Sequence, residues 1–173
     1  MKWLLIVCLM LLLAACGGAA SQNAGTLVPT VEAGGLTVSS FKATVMGEVS
    51  GEFSGTGSTF KQQSGGLLIS LVETQGLSGA IISIILPDGT RAGTYTPKSY
   101  ADAYDSTANK ITAIGTSFSV TNVTGGVDTY TTISEGTLNL QSVDPMTGDI
   151  HFKAMLNGKE VEVQATFYQL MSA

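Results

Sequence analysis

From Leu36 onward, apolar and polar residues alternate with a period of two, and no stretch shows the three-to-four spacing of an amphipathic helix. Turn residues break the alternation at roughly 8- to 14-residue intervals, the spacing of an all-β domain. The pattern predicts strands over residues 37–46, 48–55, 67–73, 80–86, 93–95, 111–123, 130–133, 136–143 and 149–156, and a last one after Asn157-Gly158. They add up to an all-β fold, read as an antiparallel β-sandwich of about eight or nine strands, with closure toward a barrel left open. Two apolar runs are denser than alternation requires, Leu67-Leu68-Ile69 and Ile81-Ile82-Ser83-Ile84-Ile85-Leu86. Such runs suit strands buried on both faces or lying under a loop. Between them and the later strands, residues 98–110 abandon the alternation and form a long excursion.

The C-terminal part is the best specified. Asn157-Gly158 between alternating runs predicts a two-residue type I′ hairpin turn. Pairing outward from it sets Leu156 opposite Lys159, Ala154 opposite Val161, Phe152 opposite Val163 and Ile150 opposite Ala165. One apolar face results, with His151 opposite Gln164 and Lys153 opposite Glu162 on the other. A slip of one residue would turn that face outward, so the register is well determined. Upstream, a turn over Asp144–Gly148 is expected to set Leu138 opposite Ala154 and Leu140 opposite Phe152, completing a three-stranded meander.

The front of the chain is different in kind. An apolar run from Trp3 to Leu13 ends in Leu13-Ala14-Ala15-Cys16-Gly17, a cysteine directly behind two small residues. The run fits a signal peptide and is shorter than the ~20 residues needed to cross a bilayer. The pattern is that of a bacterial lipoprotein signal, in which the Cys16 thiol takes a diacylglyceryl group and cleavage precedes Cys16. The expected organisation is a signal peptide over 1–15, a lipidated N-terminus and flexible tether over 16–35, and one all-β domain over 36–173. Residues 17–35 have a mean reach of ~25 Å if they behave as a coil. The lipid would anchor the chain to the membrane of the cell envelope. Gly17 is not the Asp associated with inner-membrane retention, which favours an outer membrane or outward-facing surface.

Gly93-Thr94-Tyr95, followed by Gly136, Leu138, Leu140, Asp144, Gly148, Ile150, Phe152, Asn157, Gly158, Val161, Val163 and Phe167, resembles a group of uncharacterised bacterial lipoproteins. In these a lipobox precedes a single all-β domain. The resemblance implies fold and location and brings no reaction with it.

Charge and chemistry narrow the function further. With the segment before Cys16 removed, 7 basic residues face 13 acidic ones, a net −6 without a basic patch, which argues against nucleic acid. Cys8 would leave with the signal peptide and Cys16 would carry lipid, so neither a thiol nucleophile nor a thiolate metal site is expected. His151 is the single histidine and falls on the solvent face of its strand, without a nucleophile-elbow sequence elsewhere. Asp102 and Asp105 with Asn109, and Asp144 with Asp149, offer oxygens but not calcium-loop spacing; turn chemistry explains them. Glu48 with Glu52, and Glu160 with Glu162, sit on exposed alternation, without the buried setting that paired carboxylates need for glycoside hydrolysis. Gly55-Thr56-Gly57-Ser58 precedes no helix and builds no phosphate loop.

No catalytic residue, metal or cofactor is therefore expected. The excursion holds Tyr100, Asp102, Tyr104 and Asp105, a candidate contact loop, because aromatic residues dominate contact surfaces. The reading is a non-enzymatic, membrane-anchored envelope lipoprotein that binds or presents something through loops, with a protein, glycan or small molecule as partner. Its rival is a carrier of a small apolar ligand, with residues 67–72 and 80–86 lining a barrel cavity.

Overall fold

The computed structural model describes residues 39–172. The signal peptide, Cys16 and the tether lie outside the described residues. Twelve strands follow in order: β1 (Ser40–Gly47), β2 (Gly51–Lys61), β3 (Leu67–Gln75), β4 (Ile81–Leu86), β5 (Gly93–Tyr95), β6 (Lys98–Ser99), β7 (Tyr104–Asp105), β8 (Lys110–Ile111), β9 (Gly115–Thr121), β10 (Val127–Val143), β11 (Met146–Leu156) and β12 (Lys159–Ser172). A single helical turn, Tyr100–Ala103, interrupts them.

Eight of the strands form a closed antiparallel barrel in the order β1-β2-β3-β4-β9-β10-β11-β12, with β12 returning to pair with β1. Of the two arrangements left open by the alternation, the chain takes the closed one. Closure gives every long strand two neighbours, so none of them is an edge strand. The interior is lined by alternate positions of the strands: Phe41, Ala43 and Val45 on β1, Ile82, Ile84 and Leu86 on β4, and Phe152 and Ala154 on β11 are buried. Phe53 on β2 meets Phe118 on β9 across the interior at 6.1 Å between ring centres, and Phe41 and Tyr130 extend the row on either side. Side chains such as Leu71, Ile82, Phe118, Leu138, Phe152 and Phe167 have 0 % exposure. A residue touching a void large enough for water would expose area to it, so this interior is filled, as in other small barrels.

Asn157 and Gly158 have φ of +52° and +78°, as a type I′ turn requires, and all the predicted β11–β12 pairs are present. The β10–β11 register differs from the expected one. Leu138 faces Ile150 and Leu140 faces Gly148. The turn is only Asp144-Pro145, because Met146 is drawn inward to 1 % exposure and extends β11 to the end of the barrel. The offset from the expected partners is four residues, an even number, so Leu138 and Leu140 still point inward. The separate strands expected over 130–133 and 136–143 are one continuous strand, β10, with irregular pairing between Ile133 and Gly136.

β9 and β10 pair over Ser117–Thr121 and then part. The segment 93–99 fills the gap. β5 pairs with β10, and β6 runs parallel to β9. At the parting point the Thr132 hydroxyl donates to the Thr116 carbonyl at 2.8 Å, and the two buried hydroxyls lie 2.6 Å apart. Both are satisfied where the ladder stops.

The up-and-down order sorts the connections by end. One end carries the short turns 48–50, 76–80, 122–126 and 157–158. The other carries loop 62–66, the whole excursion 87–114 and the Asp144-Pro145 turn. Ser39 lies at this second end, its hydroxyl donating to the Gln169 carbonyl at 3.1 Å. Beside it β12 passes the start of β1 and pairs in parallel with β2 through Met171 and Ser172.

Candidate functional site

The excursion is a folded flap rather than a loose loop. Its first turn, Pro87–Thr90, is closed by the Thr90 hydroxyl donating to the Pro87 carbonyl at 2.7 Å. Asp88 accepts a hydrogen bond from the Gly66 backbone N–H at 2.8 Å, tying the excursion to loop 62–66. After β6, Ser99 caps the helical turn: its Oγ accepts from the Asp102 N–H at 3.1 Å and donates to the Asp102 carboxylate at 2.7 Å. The chain then returns through a short hairpin that pairs Tyr104 with Ile111 and Asp105 with Lys110.

What holds the flap down is a second apolar cluster on the outside of the barrel. Ile85 points outward from β4 and is buried against Ala103 and Ile111, with Leu68, Tyr104 and Ala113 packed around them. The dense runs are thus covered inward by the barrel, while outward the flap buries Ile85 of β4 and partly covers Leu68 of β3. Gly115 makes the close approach possible, since a Cβ there would stand 2.5 Å from that of Ala103.

Between the flap and loop 62–66 lies a cleft of about 350 Å³, lined by Gln62, Gln63, Ser64, Tyr100, Tyr104, Asn109 and Ile111. The Tyr104 hydroxyl donates to the Asn109 side-chain oxygen, which orients both groups along the wall. Tyr100 is 38 % exposed although it belongs to a structured element. The four residues of the candidate loop therefore divide. Tyr100 and Tyr104 share the cleft, whereas the carboxylates of Asp102 and Asp105 are taken up inside the flap, the first by a side-chain hydroxyl and the second by backbone N–H groups. Asp102 is engaged with Ser99, and Asp105 accepts from the N–H groups of Thr107 and Ala108 at 2.9 and 3.0 Å. The alternation pattern had no means of adding Gln62, Gln63 and Ser64, which lie far from the excursion in sequence and meet it only in the fold.

The other candidates are spread over the barrel. His151 is half-exposed on β11, with Nε2 2.7 Å from a Glu162 carboxylate oxygen. That hydrogen bond, joined by one from Gln164, holds the Glu162 carboxyl below its ordinary value. Glu162 thus stands opposite Lys153 in register but is engaged by His151, while Lys153 lies 3.5 Å from Glu160. Glu48 bonds Lys159, whose pKa is raised chiefly by that hydrogen bond, and Glu52 lies 3.6 Å from Lys42. Asp149 accepts from the Asn139 amide at 3.2 Å. Among the described residues, no three His, Cys, Asp or Glu side chains stand close enough together to hold a metal ion.

These charges share one side of the barrel, made by β11, β12, β1 and the start of β2. The opposite exterior is different. Ser58, Ser70, Ser83 and Ser117 stand side by side across β2, β3, β4 and β9, with Thr131 of β10 next in the row. The neighbouring row is Thr56, Val72, Ile81, Ser119 and Thr129. No ionisable side chain occurs in either row. This uncharged wall leads toward the flap through Phe60, Leu68 and Ile85, the next cross-strand set.

A second groove of about 270 Å³ lies at the same end, where Leu67, Leu86, Val143 and Met146 meet Lys61 and the Pro87–Thr90 turn. No family model, curated protein or solved structure matches the chain.

Proposed function

We propose that the chain is a lipid-anchored, non-enzymatic envelope protein whose barrel is a rigid mount for a binding surface built by the 87–114 excursion. The observation that carries this is the cleft. A long connection is folded back on the barrel by its own apolar cluster, and the result exposes Tyr100 beside Tyr104 and uncharged polar groups. A connection that only linked β4 to β9 would need neither the flap nor the exposed aromatic ring. The filled interior gives less support to a carrier with its ligand inside the barrel. Anchoring rests on the Leu13–Gly17 pattern, which the lipid chemistry of Cys16 would complete.

The test is co-sedimentation of the full-length protein, in a polyoxyethylene detergent, with cell envelopes prepared from cells lacking it. Binding should fall at least several-fold in Tyr100→Ala and stay at the parental level in Thr166→Ala, which alters the charged side of the barrel. Equal binding by the Tyr100→Ala variant and the parent would refute the excursion as the binding surface.

A further inference from the structure

Resting on that reading of the excursion, we infer that the cleft takes an uncharged glycan. Its polar lining is three side-chain amides (Gln62, Gln63 and Asn109), one serine hydroxyl and two phenols. Among the described residues, the side chains of Gln62, Gln63 and Ser64 have no hydrogen-bond partner. Amides offer donors and acceptors at once, and so match hydroxyls, which do the same. Phenol rings present a flat face to the C–H side of a sugar ring. The volume sits at the small end of the ~300–1,000 Å³ typical of ligand sites, room for a chain terminus rather than a large cofactor.

Other ligand classes fit less well. An anionic ligand calls for Arg or Lys in the lining, and none is there. A wholly apolar ligand would leave the amides desolvated without partners. A peptide added as a strand needs an open sheet edge, and every long barrel strand already has two neighbours, which leaves only the two- and three-residue strands β5 to β8 with an open side. The Ser and Thr rows of β2, β3, β4 and β9 extend the uncharged surface beyond the flap. A neutral polymer leaving the cleft in that direction would desolvate no charge.

The direct test is retention of the full-length protein, in a polyoxyethylene detergent, on beads bearing glucan, mannan, galactan or poly-N-acetylglucosamine, with polygalacturonate as the anionic control. A sugar-headed detergent would compete and is avoided. At least one neutral bead should retain the protein equally at about 0.1 M and about 1 M salt, conditions between which the screening length falls from ~10 to ~3 Å. Tyr100→Ala should lower that retention roughly ten-fold, with an unchanged circular dichroism spectrum. Tyr104→Phe, which keeps the ring and removes the hydroxyl, should lower it less. No retention on any neutral bead, retention on polygalacturonate alone, or equal retention of Tyr100→Ala would each overturn the inference. The envelope assay separates this failure from that of the underlying reading. Envelope binding that needs Tyr100 but is abolished by protease and survives periodate means a protein partner, so the glycan falls while the surface stands. Envelope binding indifferent to Tyr100 removes both.

Discussion

At the residue scale, the β11–β12 hairpin gives the sharpest test of how side chains divide between core and solvent. A Cβ at Gly158 would meet nothing within 4 Å, so a substitution there is resisted by its φ of +78° and not by crowding. Gly158→Val should cost about 1–2 kcal/mol. Phe152 is fully buried between Gly136 and Val163, and Phe152→Ala should cost about 3–5 kcal/mol. Thr166, exposed on the outer face of β12, should lose under about 0.5 kcal/mol on substitution by Ala. Urea melts that do not reproduce this order would mean the core face is misassigned. Electrostatics at the same scale predicts a titration. Because Glu162 is held below its ordinary value, its ionised form favours the folded state. That contribution is present above the unfolded pKa and is lost as pH falls through the lower folded one. His151→Gln should move the Glu162 carboxyl midpoint upward in an NMR titration; an unmoved midpoint would mean that the 2.7 Å contact does not hold in solution.

At the element scale, the flap and the barrel are joined through few residues, and one of them can separate the two. In Gly115→Ala the new methyl would press on Ala103 at 2.5 Å and on Ile85 at 3.0 Å. Crowding of this kind costs about 1–3 kcal/mol, and the smaller apolar cluster is the part able to give way. Amides of residues 103–113 should then exchange faster with deuterium while those of β1, β11 and β12 keep their protection. Uniform loss of protection would show that flap and barrel unfold as one unit. Much of this element was legible in advance. The density of Ile81–Leu86 suited a strand buried on both faces or under a loop, and residues 98–110 broke the alternation where most of the flap lies. Its internal order was not legible, because two-residue strands and a single helical turn are too short to impose a period on the sequence.

On the scale of the whole molecule, the barrel is polar in its ends. The excursion, loop 62–66 and Ser39 gather at one end, and among the described residues the other holds only short turns. If Cys16 carries the anchor and residues 17–35 form the expected coil, the barrel would be held by the end that carries the cleft, within a mean reach of ~25 Å. Cys16→Ser should abolish metabolic labelling with palmitate and leave an unprocessed chain. A variant that still takes up label and matures like the parent would remove the anchor and this orientation together.

The sequence alone determined where most of the long strands lie, which face of each is apolar, and the register of the one hairpin closed by Asn157-Gly158. These are local properties: period-two alternation selects a face, and a two-residue turn leaves a single pairing. Partners farther apart were decided only by the tertiary structure. An even shift in register leaves the inward and outward pattern unchanged, so alternation had no means of distinguishing Leu138 opposite Ala154 from Leu138 opposite Ile150. Burial of Met146 at the barrel end made that choice. Closure likewise depends on β12 meeting β1, strands whose alternation would serve a sandwich equally well. The cleft is the extreme case. Gln62 and Tyr100 become neighbours only because Ile85, from a third segment, turns outward and draws the flap down between them.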